Sequence, residues 1–587
     1  MDENRITYFG ETDARNKRVR FGIKAKDRTK HVYVIGKTGM GKSTMLENMA
    51  VQDIQAGEGL CFIDPHGKTA DLLLEYVPKE RIKDVIYIAP FDVEYPISFN
   101  VLESVDIDKR HLVVSGLMST FKKIWVDAWS ARMEYILTNT LLALLEVPGS
   151  TLLGVNRILS DKEYRKEIVS KIKDPSVKNF WAKEFANYTE RMAAEAVPAI
   201  QNKVGQFTAN PLIRNMIGQP QSSFDFREAM DSKKIVIINL SKGRIGDENM
   251  KLLGGMLVTK IYLSAMSRAD TPDRIAKALP NFYLYVDEFQ NFANASFADI
   301  LSEARKYKLN LTIAHQYVEQ MDEDVCAAVF GNVGTMIVFR VGATDAELLE
   351  KEFSPTFVIE DLVNLGFAQV YLKLMIDGLT SPPFSAVTLP PITQPDESFV
   401  KEIIEASREQ FARKRAGVEE EIIKFHEPPV KVAPPSVLKS IPRNETRNIS
   451  KPIPPIPVKT DYSSTSVPKN VEVPNVSPNI NHQKKQYDMP IQHGHTMNTN
   501  VKPAPLSVLN KNKLKSDPKV QTKENVNELK SALQAIMSKN VKPNPVILNN
   551  PKPNDTKDQV QNNSTDHGSP QPKEVPEYVL KNVLKVD

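Results

Sequence analysis

His31-Val-Tyr-Val-Ile35, followed without a break by Gly36-Lys-Thr-Gly-Met-Gly-Lys42-Ser43-Thr44, is the stretch on which the fold turns. The apolar run has the composition of a strand covered on both faces. The glycine-rich run fits G-x-x-x-x-G-K-[ST] at every fixed position from Gly36 to Ser43. Behind it, Leu46, Met49, Ala50 and Ile54 recur at helical spacing as far as Gly57. Strand, loop and helix in that order are the context this pattern requires. Gly36, Gly39 and Gly41 let the backbone turn so that successive N–H groups face one point, and the helix start adds partial positive charge there. Residues Gly36, Lys37, Thr38, Gly39, Met40, Gly41, Lys42, Ser43 and Thr44 are therefore expected to cradle nucleotide phosphates. Lys42 would reach the β and γ oxygens and the Ser43 hydroxyl would sit on Mg²⁺, which makes ATP and Mg²⁺ the expected ligands.

Six more β-branched or aromatic runs follow: Leu60–Ile63, Val85–Ile88, Lys234–Ile238, Phe282–Val286, Leu309–Ile313 and Thr335–Phe339. They alternate with helical stretches, the pattern of an α/β fold with a mainly parallel sheet. Phe282-Tyr-Leu-Tyr-Val286 delivers Asp287 and Glu288 at its C-terminal end, where open parallel sheets bind ligands. Asp287 is expected to hold Mg²⁺ through water, and Glu288 to polarise the attacking water. Gln316 ends a further strand and is placed to sense the γ-phosphate, while the neighbouring His315 is assigned to structure. Asp64 and His66, closing the strand after the loop helix, belong either beside the phosphates or to a plain Asp-Pro turn. Arg340 leaves its strand where it could reach a neighbouring subunit's γ-phosphate or form an ordinary salt bridge, and Arg305 competes for the first role. The expected catalytic set is Lys42, Glu288, Gln316 and Arg340, with Ser43 and Asp287 at the metal.

Between about residues 105 and 232 no strand pattern occurs, and Ile136, Leu137, Thr140, Leu141 and Leu144 take helical spacing. The expected organisation is a first part of the ATPase domain (1–104), an all-α insertion (105–232), a second part (233–395) and a C-terminal helical stretch (396–426). From Glu427 onward the tail holds more than half of the 40 prolines, with Asn, Lys and Ser. Such a composition buries too little apolar surface to offset ordering entropy, so residues 427–587 are expected to be disordered. Val526, Leu529, Leu533 and Ile536, the segment Tyr578–Leu584, and the near-repeat of 433–438 at 504–509 interrupt it; they read as linker or as docking motifs for protein partners.

The chain is +4 overall, but the tail carries 23 Lys and Arg against 14 Asp and Glu, so the first 426 residues are slightly acidic. Nucleic-acid contact there would need a local basic patch rather than bulk charge. Cys61 and Cys326 are far apart in apolar surroundings, which supports neither a disulfide framework nor a zinc knuckle. The longest apolar run, Tyr135–Val147, is interrupted by polar residues and falls short of the roughly 20 residues a membrane span needs. No integral membrane segment is expected; a cytoplasmic protein, recruited to a membrane by a partner if it works there, is.

Taken in order, several motifs resemble the HerA/FtsK superfamily of ring ATPases, and within it the type IV coupling proteins of conjugation systems. They are His31–Ser43, Asp64-Pro-His-Gly67, Trp129-Ser-Ala-Arg-Met-Glu134, Asn239-Leu-Ser-Lys-Gly243, Val286-Asp-Glu-Phe-Gln290, Ala314-His-Gln316 and Phe339-Arg-Val-Gly342. The resemblance covers about residues 5–425. It implies a RecA-like fold, a homohexamer that moves DNA through a central pore, and a site shared between subunits. Coupling proteins usually carry an N-terminal membrane anchor, and none is expected in this sequence. That departure brings relatives acting in mobilisation, genome packaging or DNA end processing into consideration. The alternatives are a secretion ATPase that moves protein and an ATP-dependent scaffold that recruits partners through its tail.

Overall fold

The computed structural model describes residues 2–427, apart from 14–16 and 104. The expected disordered tail beyond Glu427, with its apolar interruptions and near-repeat, lies outside the described residues. Eleven strands form one sheet in the order β2-β1-β13-β10-β9-β3-β8-β7-β4-β6-β5. They are β1 (Ile6–Thr12), β2 (Arg20–Lys24), β3 (Val32–Ile35), β4 (Gly59–Asp64), β5 (Val85–Ile88), β6 (Ile235–Asn239), β7 (Phe282–Val286), β8 (Leu309–His315), β9 (Thr335–Val338), β10 (Gln369–Lys373) and β13 (Phe384–Thr388). A small hairpin, β11 (Met375–Ile376) with β12 (Leu379–Thr380), stands apart.

From β9 to β5 every pairing is parallel. These seven strands are the seven runs read from the sequence. Apolar side chains on both sides of them fill two large clusters, one on each face. The remaining four strands, β10, β13, β1 and β2, pair antiparallel and extend the sheet past β9. The architecture is thus a RecA-like α/β fold with a mostly parallel sheet.

Between β5 and β6 the described residues form helices. Local chemistry sets their starts. Ser130 accepts from the Met133 N–H to cap Ala131–Leu145, Asp161 caps Lys162–Lys171, and Asn210 caps Pro211–Ile217. The first long helix, Arg110–Ile124, does not stand off from the sheet. It packs against Asp247–Met266, the long helix after β6. A Cβ on Gly116 would come within 2.5 Å of Thr259, and one on Gly255 within 2.6 Å of Thr120, so glycines permit the close approach from both sides. The C-terminal helical stretch resolves into two helices, Val400–Phe411 and Arg415–His426. Among the described residues no helix is long and apolar enough to cross a membrane. Cys61 is buried and Cys326 half-buried, and both are free thiols.

One buried cluster ties the antiparallel flank to the parallel strands. Arg28, following β2, donates to Thr7 Oγ1 on β1 at 3.1 Å, to Asp53 at 2.9 Å and to the Tyr285 hydroxyl on β7 at 2.7 Å. Arg5 adds a second contact to Asp53 at 2.8 Å, and the Tyr285 hydroxyl donates to the same carboxylate at 2.6 Å. Opposite charge therefore keeps Asp53 ionised although burial works against it.

Candidate active site

The site is an edge, because parallel strands all end on one side. β3 runs into the glycine-rich loop, and the helix Lys42–Gln55 starts at its end with Met45, Leu46, Met49, Ala50 and Ile54 buried. Gly41, at the helix N-cap, has φ 111°, a left-handed conformation that favours glycine. β8 lies between β3 and β7 in the sheet. Gln316, just past β8, consequently stands between the loop and the acidic pair that follows β7.

The hydrogen bonds bear this out. The Ser43 hydroxyl donates to Asp287 Oδ2 at 2.9 Å. Thr38 Oγ1 donates to Gln316 Oε1 at 3.0 Å, and the Gln316 amide donates in turn to Glu288. Gln290 Nε2 donates to the other Glu288 oxygen at 2.7 Å. His66 Nε2 lies 3.7 Å from Glu288 Oε1. Lys42 is buried, and its ammonium donates to the Gly36 and Lys37 carbonyls at 2.6 and 3.1 Å. Burial lowers its pKa, opposed by the charges of Glu288 and Asp287.

The two adjacent carboxyls are driven apart. Burial, reinforced by Glu288, raises Asp287 to about 6. Burial would raise Glu288 as well, but donors from His66, Gln290 and Gln316, with the Lys42 charge, outweigh it and hold that carboxyl at about 2. Glu288 also sits at φ 46°, ψ 49°, a left-handed conformation that costs a non-glycine residue of order 1–3 kcal/mol and concentrates at functional sites. The donor set suits a small hard cation: a hydroxyl from Ser43 and a buried carboxylate from Asp287 are the oxygen ligands Mg²⁺ takes in such loops.

Other residues singled out in the sequence divide between site and scaffold. Both Asp64 oxygens accept backbone N–H groups, from His66 at 2.7 Å and Ala70 at 2.9 Å, so this side chain shapes the turn. His66, on that turn, faces Glu288, and the carboxylate raises its pKa. His315 is buried against the Tyr33 hydroxyl at 3.2 Å, and burial lowers its pKa to about 3. Arg340 touches the loop through its backbone, its carbonyl accepting the Lys37 N–H at 2.8 Å. Arg305 precedes β8 and so lies at the opposite edge of the sheet within one subunit.

Two contacts were not foreseen. Gln290 holds Glu288, a bond that spacing alone does not reveal. Lys123, at the end of the helix Arg110–Ile124, donates to the Gln290 carbonyl at 2.7 Å and to that of Ala293. The helical segment thereby grips the loop that follows Glu288. Nothing in Lys122-Lys123 distinguishes this lysine from a solvated one.

A family model described as "Helicase HerA, central domain" matches residues 8–261, and one described as "TraM recognition site of TraD and TraG" matches residues 281–355. No curated protein matches the sequence. Among solved structures, the plasmid coupling protein TrwB in complex with the GTP analogue GDPNP is similar at 15% identity and a TM-score of 0.48, over 65% of this chain and 90% of that one. VirB4 of Thermoanaerobacter pseudethanolicus is similar at 16% identity and a TM-score of 0.43, over 67% of this chain and 97% of that one. The two family models fall on the two parts of the sheet that build the nucleotide edge.

Proposed function

We propose that the chain is an ATP-hydrolysing motor subunit that assembles into a homohexameric ring and drives DNA during transfer, mobilisation or packaging. The observation that carries the hydrolytic part is the bridge Thr38–Gln316–Glu288, which joins the phosphate loop to the candidate base through one side chain. In this reading the loop N–H groups and Lys42 bind the phosphates. Ser43 and Asp287 hold Mg²⁺, which neutralises developing charge on the transferred phosphoryl group. Glu288 orients the attacking water and takes its proton. Gln316 registers the γ-phosphate, and Arg340 of an adjacent subunit completes the site. The helical segment 105–232, set between the two parts of the ATPase domain, and a partner-recruiting tail belong to the same proposal. DNA as the cargo is supported by the family model described as a helicase domain that matches residues 8–261.

The experiment is the ATPase rate of the full chain with double-stranded DNA, with single-stranded DNA and with neither. Stimulation that fades as salt rises supports DNA as the cargo, because phosphate neutralisation releases counterions. A rate indifferent to both nucleic acids but raised by a protein substrate would favour a protein-moving secretion ATPase instead. Should hydrolysis be absent with Lys42 intact, the enzymatic reading itself fails.

A further inference from the structure

The sheet order divides the nucleotide edge into two sides. On one side of β3 lie β8 and β7, which bring Gln316, Asp287 and Glu288 to the loop. The γ-phosphate and its water belong on that side. The nucleoside end must then run the other way, over the edge formed by β9, β10 and β13. β10 is antiparallel to β9, and β13 antiparallel to β10, so the start of β10 and the end of β13 both lie at the loop's edge.

That edge presents Phe367, a residue 74% exposed and the most exposed aromatic among the described residues. Left in water, it forgoes the free energy of burying a ring. Yet its backbone is firmly held. Ala368 next to it adopts φ 61°, which a residue with a Cβ rarely takes. The Ala368 N–H donates to the Met40 carbonyl, in the phosphate loop, at 3.2 Å. Its carbonyl accepts from the Thr388 N–H at 2.8 Å and from the Thr388 hydroxyl at 3.3 Å. Gln369 Oε1 accepts the Gly366 N–H at 2.7 Å, closing the turn on its other side. A strained, hydrogen-bonded turn tied to the tip of the loop thus carries an aromatic ring into solvent, on the side away from the catalytic carboxylates.

We propose that Phe367 is the base platform of the nucleotide site, its ring stacking on the purine of the bound nucleotide. This rests on the nucleotide-binding reading above and adds the moiety of the ligand that the loop itself does not touch. A phenyl ring has no hydrogen-bonding group, so it recognises the face of a base and discriminates little between adenine and guanine.

The test measures binding of Mg²⁺-ADP, Mg²⁺-GDP and Mg²⁺-tripolyphosphate to the full chain by titration calorimetry, for wild type, Phe367→Ala and Phe367→Trp. Stacking predicts that Phe367→Ala weakens ADP and GDP by between about fivefold and a hundredfold and leaves tripolyphosphate unchanged. Phe367→Trp should restore ADP affinity, with indole emission that ADP quenches and tripolyphosphate does not. Unchanged ADP affinity in Phe367→Ala overturns the proposal. So does an equal loss for ADP and tripolyphosphate, which would mean that the turn merely props up the loop. Wild-type chain that binds neither ligand sinks the nucleotide site itself, an outcome distinct from both.

Discussion

In the parallel part of the sheet, strands such as β3, β4, β6 and β7 are buried along their whole length, whereas β1 and β2 in the antiparallel flank alternate buried with partly exposed residues. The parallel strands all point the same way, so whatever follows them collects at one edge: the glycine-rich loop, Asp64, Asn239, Asp287 and Gln316. The antiparallel strands send alternate ends to that edge and contribute a turn and Thr388. One region concentrates charge and chemistry. The other supplies a wall and, at Phe367, an apolar ring. Direction of the strands, more than their composition, decides which part of a sheet becomes a site.

The sharpest way to break this contrast is at Glu288. Glu288→Gln should lower single-turnover hydrolysis by about 10²–10⁴-fold while nucleotide remains bound; a normal turnover rate would remove catalysis from the parallel edge. Next comes the pin between the regions. Asp53→Ala leaves Arg28 buried without its carboxylate and should cost about 3–5 kcal/mol in urea unfolding. The loss should appear in one cooperative transition, and separate melting of the flank would show that the two regions are independent. A smaller effect is expected where the helical segment reaches the edge. Lys123→Met removes a donor from the Gln290 and Ala293 carbonyls and should lower kcat about tenfold with KM for ATP nearly constant. Burial lowers the Lys123 pKa to about 8, against the attraction of Asp322 and with the repulsion of Lys251. Its ammonium is charged below that pH and neutral above it, so the rate should decline as pH rises through 8, and Lys123→Arg should flatten the decline. The smallest effect belongs to the flank: Thr388→Val gives up one hydrogen bond to Ala368 and should cost about 1 kcal/mol with hydrolysis unaltered.

The same contrast governs what the sequence revealed. β3 through β9 were legible because strands buried on both faces must be apolar throughout, and that leaves an unbroken run. β1 was not. Its Gly10 and the register shift between Tyr8 and Gly10 interrupt the alternation that marks a half-exposed strand. In β10 and β13, Gln369, Lys373, Ser385 and Thr388 break the apolar runs in the same way. Within the candidate site, Lys42, Ser43, Asp287, Glu288 and Gln316 stood out because each follows a strand at fixed spacing. Lys123 did not, because its partners are fixed by helix packing; Gln290 closes a quoted motif, but its bond to Glu288 depends on a turn that no local pattern encodes. Arg340 is a different case: its strand-end position suggests a side chain for a neighbouring subunit's γ-phosphate or for a salt bridge, whereas within this chain its carbonyl meets the loop, a backbone contact that no residue type encodes.

Glu288 enters the structure with its carboxylate already engaged, by Gln316 on one oxygen and Gln290 on the other. A carboxyl held at about 2 is a weak proton acceptor, since basicity falls with pKa. In the proposed role of base, Glu288 would take a proton more readily after shedding a donor, and the donor it shares with the phosphate loop is Gln316. The arrangement is a safety catch. If Glu288 is the base proposed above, whatever draws Gln316 away from Thr38 and Glu288 would free one of its oxygens in the same movement.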